Sequence, residues 1–372
     1  MKKRTNLIYL LLFLLITVNG FSQLSGTTQP ITFFGPVTSN NVTFTIYLPP
    51  NYSTNTSKYY PVVYHLHGVN GAHDGPQIND VPLAFETAAT AGLWDEAIIV
   101  FPDGYANSMW ADSYDMNKPA ETNIIQEIIP YVDANYRTIP DAQHRFMEGF
   151  SMGGFGALKF YTKYPSLFCK VVSYDGAIHT WSTLTAAHPD ITLEIFNNDS
   201  TLFNTQASPW TFLVLNQASF QSDTVINLNV GVLTTYNGSM SSYLNGLSIP
   251  HGYVLTGCPH NVSCLTLAEG NNTALFFSEC INNSTTSISE IENDDQSFTI
   301  FPNPANSFVT VHLNNGTNNA KLNIYNSFGQ NIYSTNVVED ESIDISNIPA
   351  GVYYIRLNNS EKIETKRLIL NR

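Results

Sequence analysis

One serine stands in a sequence context that suits nucleophilic chemistry. Residues 149–153 are Gly-Phe-Ser-Met-Gly, which fits the pattern Gly-x-Ser-x-Gly. Residues 145–150 are predicted to form a strand, and residues 153–163 a helix. A strand, a tight turn and a helix in this order form a nucleophile elbow, which exposes the serine hydroxyl at the carboxyl end of a sheet. We therefore predict that Ser151 is a nucleophile; the alternative is an idle serine in a glycine-rich turn.

A serine nucleophile needs a base and a site for the developing negative charge. In this arrangement the base is a histidine late in the chain. His260 lies in a loop directly after the last predicted strand, at 253–256, where such a base belongs. Two backbone N–H groups should form the oxyanion hole, and we expect them from Met152 and from Val69, which follows an early strand at 62–66.

Two further histidines have a spacing that zinc ligands can share. His65 and His67 are two residues apart, so a strand would direct them the same way into a packed site. We predict a structural or loop-shaping role for them. No metal and no cofactor is expected.

The composition narrows the classes of partner. The chain has 372 residues with a net charge of −14, and 43% of its residues are hydrophobic, enough for a sizeable core. No basic face is visible, so binding to nucleic acid is not expected, and the acidic surface disfavours anionic membranes. Neutral substrates or basic partners remain open.

The N-terminal residues have the character of a secretory signal peptide. Lys2, Lys3 and Arg4 precede an apolar run at 7–18, and small residues follow at the positions that a signal peptidase requires. We predict a signal peptide at 1–22, and an uncleaved anchor is the alternative. No later stretch approaches the roughly 20 apolar residues of a membrane span, so an exported protein without a span is expected after cleavage.

Two domains are predicted in the mature chain. Buried strands alternate with helical segments over residues 23–282, which predicts an α/β domain with a doubly wound parallel sheet. A polar linker follows at 283–297. Seven short alternating segments separated by turn signals then predict a small all-β sandwich at 298–372.

The four cysteines permit disulfides in an exported protein. They allow three pairings. Cys258 and Cys264 bracket His260, and a bridge between them would brace its loop. Buried free thiols are the alternative.

Five segments resemble the esterase D/feruloyl esterase group of α/β-hydrolases. The resemblance continues to His260 and covers about 250 residues of the chain. It rests on residues 47–52 (Tyr-Leu-Pro-Pro-Asn-Tyr), 60–68, 101–104 (Phe-Pro-Asp-Gly), 128–138 and 149–157. It implies hydrolysis of carboxylic esters through an acyl-enzyme on Ser151. Secreted members of the group often remove acetyl or feruloyl groups from plant polysaccharides, whereas the cytosolic S-formylglutathione hydrolases do not fit a chain with a signal peptide.

The C-terminal region resembles the sorting domain of type IX (Por) secretion substrates. The similarity rests on residues 301–305 (Phe-Pro-Asn-Pro-Ala), 325–330, 343–346, 350–355 and 366–369. It implies that secretion machinery recognises this domain and that the protein is secreted or held at the cell surface. Without the resemblance, the region would be a β-sandwich appendage, for example one that binds sugar.

The sequence departs from the resembled family at the acid that orients the histidine. The family has Gly-x-x-Asp after the penultimate strand, but here Gly231 is followed by Thr234 at the acid position, and residues 225–267 contain no Asp or Glu. Asp175, directly after the predicted strand 171–174, could replace the acid. A dyad of serine and histidine, or an inactive binding protein with the same cleft, are the alternatives. Asp223 precedes its strand, at the wrong end of the sheet, and is discounted.

The loop at 103–110 should overhang the site. Its Tyr105 and Trp110 are predicted to form the substrate rim, since aromatic faces suit sugar or feruloyl rings. We predict a secreted serine carboxylesterase that removes acetyl or feruloyl groups from carbohydrate or other neutral esters. The sequence does not separate hydrolysis from acyl transfer to a sugar.

Overall fold

A computed structural model gives the fold of most of the chain. It describes residues 24–220, 225–285, 298–303, 305–313, 320–326, 331–338, 340–349, 351–358 and 363–370. The predicted signal peptide at 1–22, Asp223 and most of the predicted linker lie outside the described residues. The last helix of the large domain ends at Thr285, three residues beyond the predicted end of that domain at residue 282.

The large domain is built on one eight-stranded sheet. Strands β3 to β8 are parallel in the order β4-β3-β5-β6-β7-β8, and β1 and β2 extend the β4 edge as antiparallel strands. The prediction of a doubly wound α/β sheet is confirmed, with an antiparallel hairpin added at one edge. The strands are β1 Thr27–Gly35, β2 Asn40–Leu48, β3 Val62–Leu66, β4 Ile98–Pro102, β5 Arg145–Phe150, β6 Lys170–Tyr174, β7 Ile226–Val230 and β8 His251–Leu255.

Helices cover both faces of this sheet. The α-helices are α1 Gln77–Thr90, α2 Ala120–Thr122, α3 Ile129–Asn135, α4 Met152–Lys163, α5 Trp181–Ala187, α6 Pro189–Phe196, α7 Ser200–Gln206, α8 Pro209–Leu215, α9 Thr234–Gly246 and α10 Val262–Thr285. A π-helix, Asn123–Ile128, joins α2 to α3, and short 3₁₀ turns lie at Ala142–His144 and Gln217–Phe220. Among the described residues, none of these helices combines the length and the hydropathy that crossing a bilayer requires.

The burial of the strands explains their continuous apolar sequences. In β3, Val62, Tyr64 and Leu66 pack into a core on one face of the sheet, together with residues of α4, whereas Val63 packs into a second core with residues of α1 and α10. Successive side chains of a strand point to opposite faces of the sheet. Since both faces are covered here, both sets of side chains are buried and neither face of the strand is polar. The two layers hold the carboxyl ends of the strands in fixed positions.

The C-terminal region forms a small all-β sandwich, as predicted. One antiparallel sheet has the order β13-β10-β9, the other has the order β12-β11-β14-β15, and residues of both share one apolar core. The strands are β9 Phe298–Phe301, β10 Phe308–Leu313, β11 Ala320–Asn326, β12 Asn331–Val337, β13 Glu341–Asp344, β14 Gly351–Asn358 and β15 Ile363–Leu370.

Two disulfides join the four cysteines. Cys258 pairs with Cys264, so the bridge encloses the His260 loop, and Cys169 pairs with Cys280 of α10 across a sequence separation of 111 residues. A bridge stabilises mainly by restricting the unfolded chain, and more so for a longer loop.

The two bridges should therefore differ in their effect on stability. Replacing Cys169 and Cys280 together by Ser should lower the free energy of unfolding by about 5 kcal/mol on the chain-entropy scale, and replacing Cys258 and Cys264 by about 2 kcal/mol. Denaturant unfolding of the full chain, followed by tryptophan fluorescence, measures both. A larger loss from the short bridge would show that loop length is not what governs their contribution.

Candidate active site

Ser151 occupies a tight turn between β5 and α4. Its backbone has φ 58° and ψ −115°, a conformation that is rare for a residue with a side chain. A Cβ atom on Gly153 would lie 2.0 Å from the carbonyl oxygen of Leu66, and one on Gly149 would lie 2.3 Å from the carbonyl oxygen of Gly153. Only glycines at these two positions let the strand, the turn and the helix approach so closely, and the packed elements hold the strained serine in place.

The structure brings His260 and Asp175 to this serine. His260 Nε2 lies 2.9 Å from Ser151 Oγ, and His260 Nδ1 lies 2.6 Å from Asp175 Oδ2. The three side chains thus form one continuous chain of hydrogen bonds, with the geometry that base-assisted attack by a hydroxyl requires. His260 is 36% exposed and packs against the ring of Phe150 with the ring centres 4.5 Å apart, so the site is open to substrate.

The Asp175 carboxylate is fully buried and lies among backbone donors. Its Oδ1 accepts hydrogen bonds from the N–H groups of Gly231 (2.9 Å) and Leu233 (2.8 Å), and its Oδ2 accepts one from Val232 (3.2 Å). These residues directly precede α9, whose N-terminal dipole also favours a negative charge. Burial would raise the pKa of Asp175, but the bonds from His260, Leu233 and Val232 outweigh it and hold the pKa below its ordinary value.

The loop that carries the acid in the resembled family serves a different purpose here. Thr234 is the first residue of α9, and the three residues before it supply the N–H groups that hold Asp175. In place of a carboxylate of its own, this loop supplies backbone N–H groups that bind the carboxylate of Asp175, which follows the neighbouring strand β6. The sequence did not predict this set of N–H donors, because almost any residue type can supply a backbone N–H group. The only signal is the lack of Asp and Glu over 225–267.

The two expected oxyanion donors lie on either side of the elbow. Met152 begins α4, and Val69 follows Gly68, where an added Cβ would lie only 3.2 Å from Ser151 Cβ. Asn70 donates its N–H to Ala106 O (2.7 Å), which ties this loop to the 103–110 loop. Val69 itself is 40% exposed.

His65 and His67 have structural partners. The Gly104 N–H donates to His67 Nε2 (3.0 Å), so Nδ1 carries the proton and donates to Gly68 O (2.9 Å). Burial lowers the pKa of His67 and favours this neutral form. His65 Nδ1 bonds to the buried Glu148 at 2.8 Å. In the described part of the chain, no group of three or more His, Cys, Asp or Glu side chains could hold a metal ion.

The expectation that Trp110 forms part of the substrate rim is wrong. Its side chain is 0% exposed, because glycines at 104 and 156 leave room for the indole to fold inward. There it packs against the His67 ring at 4.7 Å, and its Nε1 donates to His67 O. Trp110 thus packs against the loop that leads to Val69, called here the oxyanion loop. Tyr105 is half-buried, so the rim role expected of it stays a prediction.

The comparisons with known proteins agree with this geometry. Residues 35–229, more than half of the chain, match the family model described as "Putative esterase". The chain belongs to this esterase family. Residues 299–371 match the secretion system C-terminal sorting domain, which marks the protein as secreted or displayed at the cell surface.

Two curated relatives share part of the large domain. An esterase of Mycobacterium tuberculosis is 32% identical over 166 residues, which are 39% of this chain and 33% of that protein. An endo-1,4-beta-xylanase/feruloyl esterase of Xylanibacter ruminicola is 28% identical over 149 residues, 38% of this chain and 20% of the relative. The chain therefore spans a third or less of the length of these relatives.

Solved structures share the fold at lower identity. A ferulic acid esterase superposes with a TM-score of 0.58 at 21% identity, covering 68% of this chain and 98% of its own. An S-formylglutathione hydrolase of Staphylococcus aureus has the same coverage, with a TM-score of 0.56 at 17% identity. At these identities the likeness establishes the α/β-hydrolase fold, and the substrate has to be argued from this chain.

Replacing Asp175 by Asn tests the acid directly. The amide keeps the size of the side chain but cannot fix the histidine tautomer or stabilise the imidazolium. The kcat should therefore fall by about 10³- to 10⁴-fold, similar to the loss when the acid of a serine protease is changed to its amide. Asp199→Asn is a matched control, because Asp199 caps α7 through its side chain and Asn caps as well. The kcat for p-nitrophenyl acetate measures both. Unchanged turnover in Asp175→Asn would favour the dyad of Ser151 and His260.

The depressed pKa of Asp175 also predicts a pH dependence of stability. A carboxylate whose pKa is lowered by folding stabilises the protein above its unfolded pKa of about 3.9 and loses that contribution as the pH falls through the folded value. The extra stability of the wild type over Asp175→Asn should persist from neutral pH to about pH 5 and shrink below about pH 4. Urea unfolding of both proteins across this range measures it. A difference that already vanishes at pH 5 would mean that the carboxylate is not stabilised in this way.

Proposed function

We propose that this protein is a secreted serine carboxylesterase that removes acyl groups from carbohydrate esters. The observation that carries the proposal is the chain of hydrogen bonds from Ser151 Oγ through His260 to the Asp175 carboxylate. Family membership supports the reaction class, and the sorting domain supports an extracellular substrate.

The mechanism follows from the positions of these groups. Ser151 Oγ attacks the ester carbonyl while His260 Nε2 takes its proton, and Asp175 stays ionised and stabilises the imidazolium through Nδ1–H. In this proposal the N–H groups of Met152 and Val69 receive the oxyanion of the tetrahedral intermediate. His260 then gives the proton to the departing alcohol. A water molecule, activated by the same imidazole, releases the acid from Ser151.

The substrate class rests on the surroundings of the serine. The relative from Xylanibacter ruminicola is described as a xylanase/feruloyl esterase, and a ferulic acid esterase is among the similar structures. Tyr105 precedes Ala106, whose carbonyl oxygen accepts the N–H of Asn70, and we assign its ring to contacts with an acyl group or a sugar. The acidic composition favours a neutral ester over an acidic one. Acetyl and feruloyl esters of neutral polysaccharides meet these conditions.

The alternative, an inactive binding protein, was motivated by Thr234 at the usual acid position. The Asp175 carboxylate, 2.6 Å from His260, supports catalysis over this alternative.

Hydrolysis by the full chain separates the two functions. The wild type should hydrolyse p-nitrophenyl acetate or methyl ferulate, and Ser151→Ala should lower kcat by about 10⁴-fold or more, because the nucleophile is gone. Ser57→Ala, at an exposed turn, is the control and should match the wild type.

Labelling completes the test. An activated Ser151 should react with a fluorophosphonate, and Ser151→Ala should not. A folded wild type that hydrolyses neither ester and takes up no label would make the protein a binding protein.

A further inference from the structure

A broad groove lies on the helical face formed by α5 and α7 to α9. One part, of about 410 Å³, is lined by Trp181, Trp210 and Tyr243 among others. A second, more open part of about 760 Å³ shares Trp210 and Tyr243 and extends along the first turns of α9. Because the two parts share these aromatic residues, they form one continuous surface, called here the aromatic groove.

The aromatic groove carries no formal charge. Among the described residues that line it there is no Asp, Glu, Lys, Arg or His, although the chain contains 30 acidic residues. Its lining includes hydroxyl side chains, namely Thr180, Thr211, Thr235, Ser239 and Ser242. Hydroxyls can both donate and accept hydrogen bonds, and indole and phenol faces suit the C–H faces of sugar rings. This combination fits a ligand that is itself uncharged and rich in hydroxyl groups.

The aromatic residues are held in place before any ligand arrives. The Trp210 indole N–H donates to His179 O at 3.2 Å, and the Tyr243 hydroxyl donates to Trp210 O at 3.2 Å. The two rings pack edge to face with their centres 5.1 Å apart. A ligand that stacks on them would not have to order them, so little conformational entropy is lost on binding.

The groove begins beside the candidate active site. Thr234 and Thr235, which line its open part, directly follow Leu233, whose N–H holds the Asp175 carboxylate. From α9, Asn237 donates to Gly176 O, next to Asp175, at 3.0 Å. The open part of the groove and the backbone that holds Asp175 thus belong to the same segment, the β7–α9 loop and the first turn of α9.

We propose that the aromatic groove binds an uncharged polysaccharide chain and so positions its acylated residue at Ser151. The inference deepens the proposed function and, for the positioning step, rests on it. Binding in the groove needs no ester and no catalysis, so it can be measured separately.

Affinity electrophoresis of the full chain in native gels tests the groove. The probes are two neutral polysaccharides, arabinoxylan and glucomannan, and acidic polygalacturonate. At least one neutral polymer should retard the wild type, and polygalacturonate should not. Trp210→Ala should weaken that retardation by roughly three- to ten-fold, the range expected for loss of one aromatic contact. Trp210→Phe keeps an aromatic face and should retain most of it, which also controls for the lost bond to His179.

A charge placed in the groove gives a second test with a matched control. Ser239→Asp should weaken retardation by the neutral polymer, because binding would have to desolvate the new carboxylate. Thr87→Asp also introduces a carboxylate in place of an exposed helical hydroxyl, on α1 and away from the groove, and should have no effect on retardation. Both hydroxyls donate to the carbonyl four residues earlier, so each variant loses the same kind of bond.

The outcomes separate the groove from the catalytic proposal. Equal retardation of the wild type, Trp210→Ala and Ser239→Asp, no retardation by either neutral polymer, or stronger retardation by polygalacturonate would each overturn the inference. A wild type that hydrolyses p-nitrophenyl acetate without being retarded overturns the groove alone. A protein that is retarded through Trp210 but hydrolyses no ester overturns the proposed function and leaves the groove as a binding site.

Discussion

The buried carboxylate of Asp175 is the constraint on which the candidate site depends. A charge removed from water is costly unless hydrogen bonds compensate for it. Here three backbone N–H groups and one imidazole N–H do so, and they come from two separate segments. The end of β6, the β7–α9 loop and the β8–α10 loop are therefore tied together at one point. The Cys258–Cys264 bridge then restricts the loop that brings His260 to this point.

The nucleophile and base could be predicted from sequence because each has a local signature. Ser151 lies between glycines that close packing requires, and His260 follows the last strand of a regular α/β pattern. For the acid, the sequence left three alternatives open: Asp175, a dyad without an acid, and an inactive protein. Whether Asp175 meets His260 depends on how far the chain continues beyond β6 and β8, which β7 separates in the sheet, and no sequence periodicity records that distance. The seven strands of the small sandwich were predicted well, because alternating side chains and turn residues mark each of them.

The errors also have physical causes. Trp110 was expected at the surface because an aromatic residue in a loop after a strand often contacts ligand, but distant glycines create the space that buries it. The segment 181–206 gave no prediction, although it forms α5 to α7. These helices have only seven or eight residues each, so their stability depends on capping in α5 and α7 and on contacts such as Trp181 against Phe203 rather than on propensity. Such tertiary contacts cannot be recognised from one sequence.

The parts of the site that could be predicted from sequence are those that take part in the reaction. The reacting groups are fixed by strands and by a strained turn, where few residue types are tolerated, so they leave recognisable motifs. The aromatic groove is built from the helices around Trp181, Trp210 and Tyr243, where many sequences could pack equally well. A polymer that binds there contributes affinity through surface far from the scissile bond, and that affinity can be used to orient the ester at Ser151. The helices that form the groove would then determine which acylated polymer is bound, while the residues that follow the strands of the sheet carry out the reaction.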